Sequence, residues 1–210
     1  MTPRVTVIDY GMGNLLSVCR ALEHVGATVT LSSDPNDIAR AERLLLSGVG
    51  AFGNGMAELD RRGLIEPIRR RAAEGTPLLG ICLGAQMLLD SSEEFGEHRG
   101  LGLIPGEVRA IPTRDTEGQP LKVPHVGWAD LHGVRPHPLL VGLAAEAAVY
   151  FVHSYQCHPR DGHNLISYCD FGGHRLNAMI ALGHITGCQF HPEKSGPTGL
   201  RILSNFLLQG

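Results

Sequence analysis

The sequence predicts an α/β fold, a doubly wound and mostly parallel central sheet with antiparallel strands added in the second half. Over residues 1–89, apolar runs typical of strands alternate four times with segments of helical periodicity, a pattern typical of a parallel sheet covered by helices. These runs are apolar almost throughout, as expected of strands whose two faces are both buried. In the second half, strand-like runs follow one another with little helix between them, which indicates antiparallel pairing.

Strand-and-helix units fill the first half. Strands are predicted at 4–8, 27–31, 43–46 and 77–81. Asn14 is predicted to cap the first helix, because asparagine accepts hydrogen bonds from the free N–H groups at a helix start. Asp34 and Pro35 predict a short second helix, since proline suits the first helical turn. Further helices are predicted within 56–74, broken near Gly63 and Pro67, and at 85–89.

The second half contains six predicted strands and one predicted helix. The strands are 103–111, 124–131, 147–155, 165–169, 178–182 and 185–190, and the closing helix is 199–208. Turns rich in Gly, Pro and His separate the strands, and no linker, repeat or low-complexity tract divides the chain. A single domain spanning 1–210 is therefore predicted, as the chain length also favours.

Composition argues against several functional classes. The 210 residues carry 18 basic and 21 acidic side chains, a formal net charge of −3, so no electrostatic attraction to nucleic acid or to a membrane surface is expected. No stretch has the roughly 20 apolar residues of a membrane span, and no secretory cleavage site is recognisable. Five cysteines, an odd number without a CxxC pair, indicate reduced thiols. We therefore expect a cytoplasmic protein.

Gly80-Ile81-Cys82-Leu83-Gly84 has the form of a nucleophile elbow, G-x-S-x-G, with cysteine in place of serine. The sharp turn from strand to helix needs the glycines, because larger side chains would collide with nearby backbone. Cys82 would lie at a helix N-terminus, where the dipole favours the thiolate. The Leu83 N–H would point toward a developing oxyanion. The alternative is a buried structural cysteine in a glycine-rich strand end.

A cysteine nucleophile needs a base, and Phe190-His191-Pro192-Glu193 provides the best candidate among eleven histidines. If the backbone stays extended through Pro192, the side chains of His191 and Glu193 lie on one face. The carboxylate can then bind one ring nitrogen and direct the other toward the sulfur. Cys82 and His191 both follow predicted strands, at the edge where open α/β sheets place their sites.

The segment 48–53 matches G-x-G-x-x-G between a strand and a helix, which raises the hypothesis of a dinucleotide site. The following strand ends at Cys82 and lacks the acidic residue that would bind a ribose, so this hypothesis is disfavoured. The loop is better suited to supply a second oxyanion amide, from Val49 or Gly50. A glycine turn without a chemical role is the alternative.

Histidine and cysteine side chains are frequent between residues 153 and 174, so a zinc site has to be considered. They are His153, Cys157, His158, His163, Cys169 and His174. Because no pair has the spacing of a zinc finger, scattered strand and turn residues are the better interpretation, and we expect no metal.

Cys82 in GICLG, with His191 and Glu193 in FHPEKS, resembles the motifs of class I glutamine amidotransferases. The segments 9–14 (DYGMGN), 124–128 (PHVGW) and 150–155 (YFVHSY) are similar to those of one branch, the glutaminase subunits of imidazole glycerol phosphate synthase in histidine biosynthesis. The resemblance covers nearly the whole chain. It implies the flavodoxin-like fold of this class and no cofactor.

The resemblance also implies a mechanism and a set of roles. Cys82 would attack the side-chain amide of L-glutamine, ammonia would leave, and water would hydrolyse the thioester to glutamate. His191 would move the protons and Glu193 would orient it. Leu83 and the Val49/Gly50 loop would form the oxyanion hole. The implied substrate-binding residues are Gln86, Glu94, Ser154 and Tyr155. The residues implied to face a cyclase subunit, the partner in a heterodimer, are Asn14, His125, Trp128 and Lys194.

Glutaminases of this branch are nearly silent until the cyclase binds its own substrate, so the resemblance implies that the Gly48–Gly50 backbone rearranges to complete the oxyanion hole. Relatives usually have Pro-Gly-Val-Gly in this loop, whereas Ser47 begins it here. Proline restricts the backbone and serine does not. We therefore expect a more mobile loop, with either higher basal activity or less sharp activation.

Two other functions are compatible with parts of the sequence. Another amidotransferase branch, such as the glutaminase of vitamin B6 synthesis, or a related Cys/His hydrolase would share the elbow, but the three branch segments argue against both. The second alternative function is that of a catalytically inactive scaffold that only binds a partner. The presence of Cys82, His191 and Glu193 together argues against it, because a scaffold has no physical need for all three.

Overall fold

A computed structural model describes residues 2–144 and 146–209, so the predicted domain 1–210 includes three positions that lie outside the described residues. The strands are β1 (Arg4–Ile8), β2 (Thr28–Ser32), β3 (Leu44–Gly48), β4 (Leu78–Cys82), β5 (Ser91–Ser92), β6 (His98–Arg99), β7 (Gly106–Ala110), β8 (His125–Asp130), β9 (His132–Gly133), β10 (Ala148–His153), β11 (Tyr155–Pro159), β12 (Leu165–Phe171), β13 (His174–Leu182) and β14 (Ile185–Cys188). The helices are α1 (Leu15–His24), α2 (Pro35–Ile38), α3 (Phe52–Arg61), α4 (Ile65–Ala73), α5 (Leu83–Met87) and α6 (Gly196–Leu207).

The central sheet has eight strands in the order β2-β1-β3-β4-β14-β13-β12-β9. The first five run parallel to their neighbours, and β13, β12 and β9 are added antiparallel. The predicted fold class is confirmed. Because parallel strands end at the same edge of a sheet, β3, β4 and β14 bring the residues that follow them to one edge.

The core lies on both faces of this sheet, as the alternation of side chains along a strand requires. On β3, Leu44 and Leu46 belong to the cluster on the face covered by α3 and α4. Leu45 belongs to the cluster on the opposite face, with residues of α1 and α6. All three leucines are fully buried. None of the helices in the described ranges is long and apolar enough to cross a membrane.

The helix starts differ from the predictions in instructive ways. Asn14 does precede α1, but its side chain makes no capping hydrogen bond, so the predicted side-chain cap is wrong. Asp34 does cap α2, accepting a hydrogen bond from the Asn36 N–H at 2.8 Å. The break at Gly63 is confirmed, whereas Pro67 lies inside the first turn of α4. Proline is tolerated there because the N–H groups of a first turn have no partner within the helix.

Pairing in the second half is more varied than predicted. The run predicted at 185–190 gives β14, which is antiparallel to β13 as predicted but parallel to β4 on its other side. The run at 147–155 divides at Ser154 into β10 and β11. These strands join two smaller sheets, β10-β8 and β11-β7-β5-β6. A run of apolar residues indicates a strand but does not indicate its partner, and the two-residue strands β5, β6 and β9 are too short to show periodicity.

Candidate active site

The turn from β4 to α5 places Cys82 in a strained backbone conformation, with φ 53° and ψ −111°. The neighbouring backbone requires both flanking glycines. A Cβ atom on Gly84 would lie 1.8 Å from the Leu46 carbonyl oxygen, and one on Gly80 would lie 2.8 Å from Ala85 backbone atoms. Cys82 is the residue immediately before α5, as the elbow motif predicts. Strain of this kind is typical of functional residues that the surrounding structure holds in place.

His191 follows β14, the parallel neighbour of β4, and its backbone N–H donates to the Tyr150 carbonyl oxygen at 2.9 Å. Its Nδ1 lies 2.8 Å from Oε1 of Glu193, and both side chains are 2% exposed. The backbone does not stay extended as predicted, because Pro192–Lys194 forms a 3-10 turn. The turn begins at proline, whose φ suits it, and it still carries the carboxylate back to the imidazole.

The charge state of His191 follows from its neighbours. Burial by itself lowers the pKa of this imidazole, but Cys82 and Glu193 outweigh burial and raise the pKa to about 9. Within the described part of the chain, Nε2 is buried and has no hydrogen-bond partner. Nε2 is therefore the ring nitrogen available to exchange a proton with the Cys82 sulfur, while Glu193 holds Nδ1.

The glycine segment lies beside the nucleophile. Ser47 and Gly48 are the last residues of β3, where they pair with Ile81 and Cys82 of β4. The glycine segment predicted as a loop at 48–53 is therefore shorter at both ends. Gly48 still belongs to β3, and α3 begins at Phe52. Gly50 has φ 113°, a conformation that favours glycine. Ser47 is buried within the strand, so the serine that replaces the usual proline belongs to the sheet.

A cavity of about 290 Å³ opens over Cys82. Its lining includes every residue predicted to bind substrate or to form the oxyanion hole, namely Val49, Gly50, Leu83, Gln86, Glu94, Ser154 and Tyr155. Oε2 of Glu94 accepts a hydrogen bond from the Phe52 N–H at 2.6 Å, which ties the cavity wall to the start of α3. The structure therefore brings the nucleophile, the candidate oxyanion amides and the candidate substrate residues to one place.

Two further side chains of the site were not anticipated from the sequence. Gln189 is 1% exposed and donates from Nε2 to the Cys82 sulfur at 3.9 Å. His153 lines the cavity, donates from Nδ1 to the Tyr155 carbonyl oxygen at 2.8 Å and has its pKa lowered to about 4 by burial. A signal for Gln189 exists in the sequence, because residues two apart on an extended chain point to the same side, and Gln189 is two residues before His191.

The four residues predicted to face a partner do not all lie on the surface. Asn14 and Lys194 are exposed, and Trp128 is 59% exposed. His125 is 7% exposed, lies between the rings of Phe151 and Phe171, and has Nδ1 3.3 Å from Nε2 of His153. The neighbouring rings cover the His125 side chain in this structure, and its place at a partner interface stays a prediction.

The histidines and cysteines considered for zinc do not gather into a site. In the stretches 2–144 and 146–209, no three His, Cys, Asp or Glu side chains lie close enough to hold a metal ion. All five cysteines are free thiols.

Residues 6–209 match the family model described as Glutamine amidotransferase class-I. The chain is 46% identical over 208 residues to imidazole glycerol phosphate synthase subunit HisH 1 of Legionella pneumophila (strain Lens), which covers 97% of this chain and 98% of that relative. It is also 46% identical over 203 residues to the subunit HisH of Syntrophotalea carbinolica, with 96% and 98% covered. A chain in the structure of PurLQS from Thermotoga maritima shares the fold, with a TM-score of 0.72 at 22% identity and 99% of each chain covered. This chain belongs to the class I glutamine amidotransferase family.

Proposed function

We propose that this chain is the glutaminase subunit of an imidazole glycerol phosphate synthase, acting in the cytoplasm in histidine biosynthesis. The relatives at 46% identity are subunits of that enzyme and match over nearly their whole length. One observation carries the chemistry: Cys82 occupies a strained elbow at the strand edge where the His191–Glu193 pair, with its 2.8 Å contact, also lies. One domain, 1–210, carries the activity.

The site geometry suits hydrolysis of a side-chain amide. The Cys82 thiolate attacks the amide carbon of glutamine, and the carbonyl oxygen becomes an oxyanion that the Leu83 N–H and an N–H of Val49 or Gly50 stabilise. His191 gives its Nε2 proton to the amide nitrogen of the substrate. The C–N bond breaks, ammonia leaves, and a thioester remains on Cys82. His191 then takes a proton from water, which attacks the thioester and releases glutamate.

Each residue of the pair has a separate task in this cycle. The pKa of about 9 for His191 means that the imidazole is protonated at neutral pH and ready to act as an acid. Glu193 accepts the Nδ1–H, so Nε2 is the nitrogen that faces the reaction. The carboxylate also stabilises the imidazolium each time it forms.

The partner is a cyclase subunit that consumes the ammonia. In water, ammonia is mostly protonated, and ammonium is not a nucleophile, so a glutaminase that serves a biosynthetic reaction must transfer ammonia without releasing it. Asn14, Trp128 and Lys194 are exposed, and we assign the surface that carries them to this partner. A cyclase bound there would cover the cavity. Completion of the oxyanion hole by the Gly48–Gly50 backbone would then depend on the partner.

Replacement of the nucleophile tests this function. Cys82→Ala is expected to lower glutamine hydrolysis by the complex with its cyclase at least ~10³-fold, because the covalent route is lost. Synthesis from added ammonium salt should survive in the same complex. Cys19→Ala, which removes a half-buried thiol of α1, is the matched control and should hydrolyse glutamine normally. Near-normal hydrolysis by Cys82→Ala would refute the mechanism.

A further inference from the structure

Gln189 is a fully buried amide that the reaction described above does not use. It follows β14 directly, and its backbone N–H donates to the Ala178 carbonyl oxygen of β13 at 2.8 Å. Its side chain contacts three others: Nε2 donates to the Cys82 sulfur at 3.9 Å, while Oε1 accepts from Gln86 Nε2 at 3.2 Å and from the Cys157 thiol at 3.9 Å. The amide therefore connects the nucleophile to a residue of the cavity wall.

The orientation of both amides follows from one backbone atom. The Tyr155 carbonyl oxygen can only accept, so the Gln86 atom 3.0 Å away must be its NH₂ group. The other hydrogen of that NH₂ group points to Gln189, whose facing atom must then be the oxygen. This leaves the NH₂ group of Gln189 directed at the Cys82 sulfur. Neither amide can be flipped without placing two donors or two acceptors against each other.

This order of donors and acceptors has two chemical consequences. An N–H that points at sulfur favours the anionic thiolate over the neutral thiol, because a hydrogen bond to the charged form stabilises it. At the other end, both hydrogens of the Gln86 amide are used, so Oε1 is its only remaining hydrogen-bonding group. Since Gln86 lines the cavity, that oxygen is available to an N–H group of a bound substrate.

We propose that Gln189 is a positioning residue of the glutaminase site, which stabilises the Cys82 thiolate with its NH₂ group and holds Gln86 so that its oxygen faces the substrate. Only the role of Gln189 toward Gln86 and the substrate rests on the proposed function. Its role toward the Cys82 thiolate concerns the sulfur alone and is measured without glutamine and without the cyclase.

The test is the pH dependence of Cys82 alkylation by iodoacetamide in the isolated chain, with the labelled peptide quantified by mass spectrometry. Gln189→Met keeps the side-chain length but has neither donor nor acceptor. Gln189→Glu keeps an oxygen for Gln86 and replaces the NH₂ group with a second oxygen. Both profiles are expected to move to higher pH, by about one pH unit for Gln189→Glu, which corresponds to about tenfold slower alkylation at pH 7.

Steady-state kinetics of the complex with cyclase then separate the two roles. Gln189→Glu should lower kcat while KM for glutamine stays within about twofold, because an oxygen still holds Gln86. Gln189→Met should lower kcat and also raise KM. Cys157→Ala is the matched control: it removes another buried side chain that contacts Gln189 and should leave the alkylation profile and KM unchanged. Circular dichroism checks that every variant is folded.

An alkylation profile of Gln189→Met that superposes on that of the unaltered chain would overturn the proposal, whatever Gln189→Glu does. If KM is unchanged in Gln189→Met, the role toward Gln86 is refuted. These failures are distinct from failure of the proposed function, which Cys82→Ala tests without involving Gln189. A merely structural role of Gln189 would lower stability in both variants and leave the alkylation profile in place.

Discussion

Cys82 shows how steric requirements at single residues produce reactivity. The positive φ of Cys82 costs about 1–3 kcal/mol. The surrounding structure maintains this conformation, and neighbouring backbone atoms lie so close to Gly80 and Gly84 that neither position has room for a side chain. The strain directs the sulfur into the cavity beside His191. The same edge of the sheet supplies the NH₂ group of Gln189, so two residues that follow β14, Gln189 and His191, face the sulfur at the end of β4.

The pH dependence of stability provides a prediction at this scale. The pKa of His191 is about 9 in the folded chain and about 6.5 in an unfolded one. A raised pKa stabilises the fold fully below pH 6.5, and this stabilisation is lost as pH rises through 9. It amounts to about 3 kcal/mol. Urea unfolding of Glu193→Gln, which removes the carboxylate partner, should therefore show a larger deficit at pH 6 than at pH 9.

Glu97→Gln serves as the control for this measurement, because Glu97 is an exposed carboxylate outside the cavity. Its unfolding free energy should follow that of the unaltered chain at every pH. Parallel curves for Glu193→Gln and the unaltered chain between pH 6 and pH 9 would contradict the assigned charge state of His191.

At the scale of elements, the carboxyl ends of three adjacent parallel strands build the site. β3 leads to Val49 and Gly50, β4 ends in Cys82, and β14 leads to Gln189 and His191. Next to them, β8 and β10 form a separate two-stranded sheet, and the exposed side chains of β8 are Val126, Trp128 and Asp130. On the outer face that carries them, the ring of Trp128 packs edge-on against the ring of Tyr150 with centroids 6.1 Å apart, and Lys194 Nζ lies 6.0 Å from the Tyr150 centroid.

This outer face provides the prediction at the scale of elements. Trp128→Ala is expected to weaken binding of the cyclase at least tenfold, because an exposed tryptophan of this kind is typical of an interface hot spot. Lys194→Ala should also weaken binding or activation. Leu208→Ala is the control, since Leu208 is 79% exposed and follows the last residue of α6, whereas Lys194 precedes its first, so a helix of 12 residues and about 18 Å lies between them. Isothermal titration calorimetry measures all three, and equal affinities for Trp128→Ala and Leu208→Ala would disprove the placement of this interface.

At the scale of the whole molecule, β10 contributes Val152 and His153 to the cavity over Cys82 and Tyr150 to the exposed face that we assign to the partner. A partner docked there can both retain ammonia and change the backbone of the Gly48–Gly50 segment. Ser47 lies within β3 and is buried, so the sheet holds the residue that precedes this segment. The freedom to rearrange is therefore confined to the short stretch between Gly48 and the start of α3 at Phe52.

A glutamate-release assay tests this arrangement as a whole. The isolated chain should hydrolyse glutamine slowly, and addition of the cyclase with its nucleotide ligand should raise the rate by about 10²- to 10³-fold, the contribution of one oxyanion-hole donor to kcat. The complex of Cys82→Ala provides the background rate. High activity of the isolated chain would retain the chemistry but remove the gating, and Ser47 would be the first residue to examine.

The sequence by itself determined the fold class and the three residues that we assign to the reaction. Apolar runs that alternate with helical segments indicate parallel strands. Two short motifs with a strict steric requirement, GICLG and FHPEKS, indicate Cys82, His191 and Glu193. Such information is local, because a turn or a strand end depends on a few consecutive residues. The helix break at Gly63 and the helix start at Asp34 and Pro35 could be predicted for the same reason.

Only the tertiary structure decided which strands pair, which histidine is buried and which amide faces the sulfur. β14 is parallel to β4 although more than 100 residues separate them, and strand propensity contains no information about such a partner. His125 is covered by rings from β10 and β12, and the orientation of Gln189 follows from the Tyr155 carbonyl through Gln86. These features depend on contacts between distant segments, which exist only once the chain has folded.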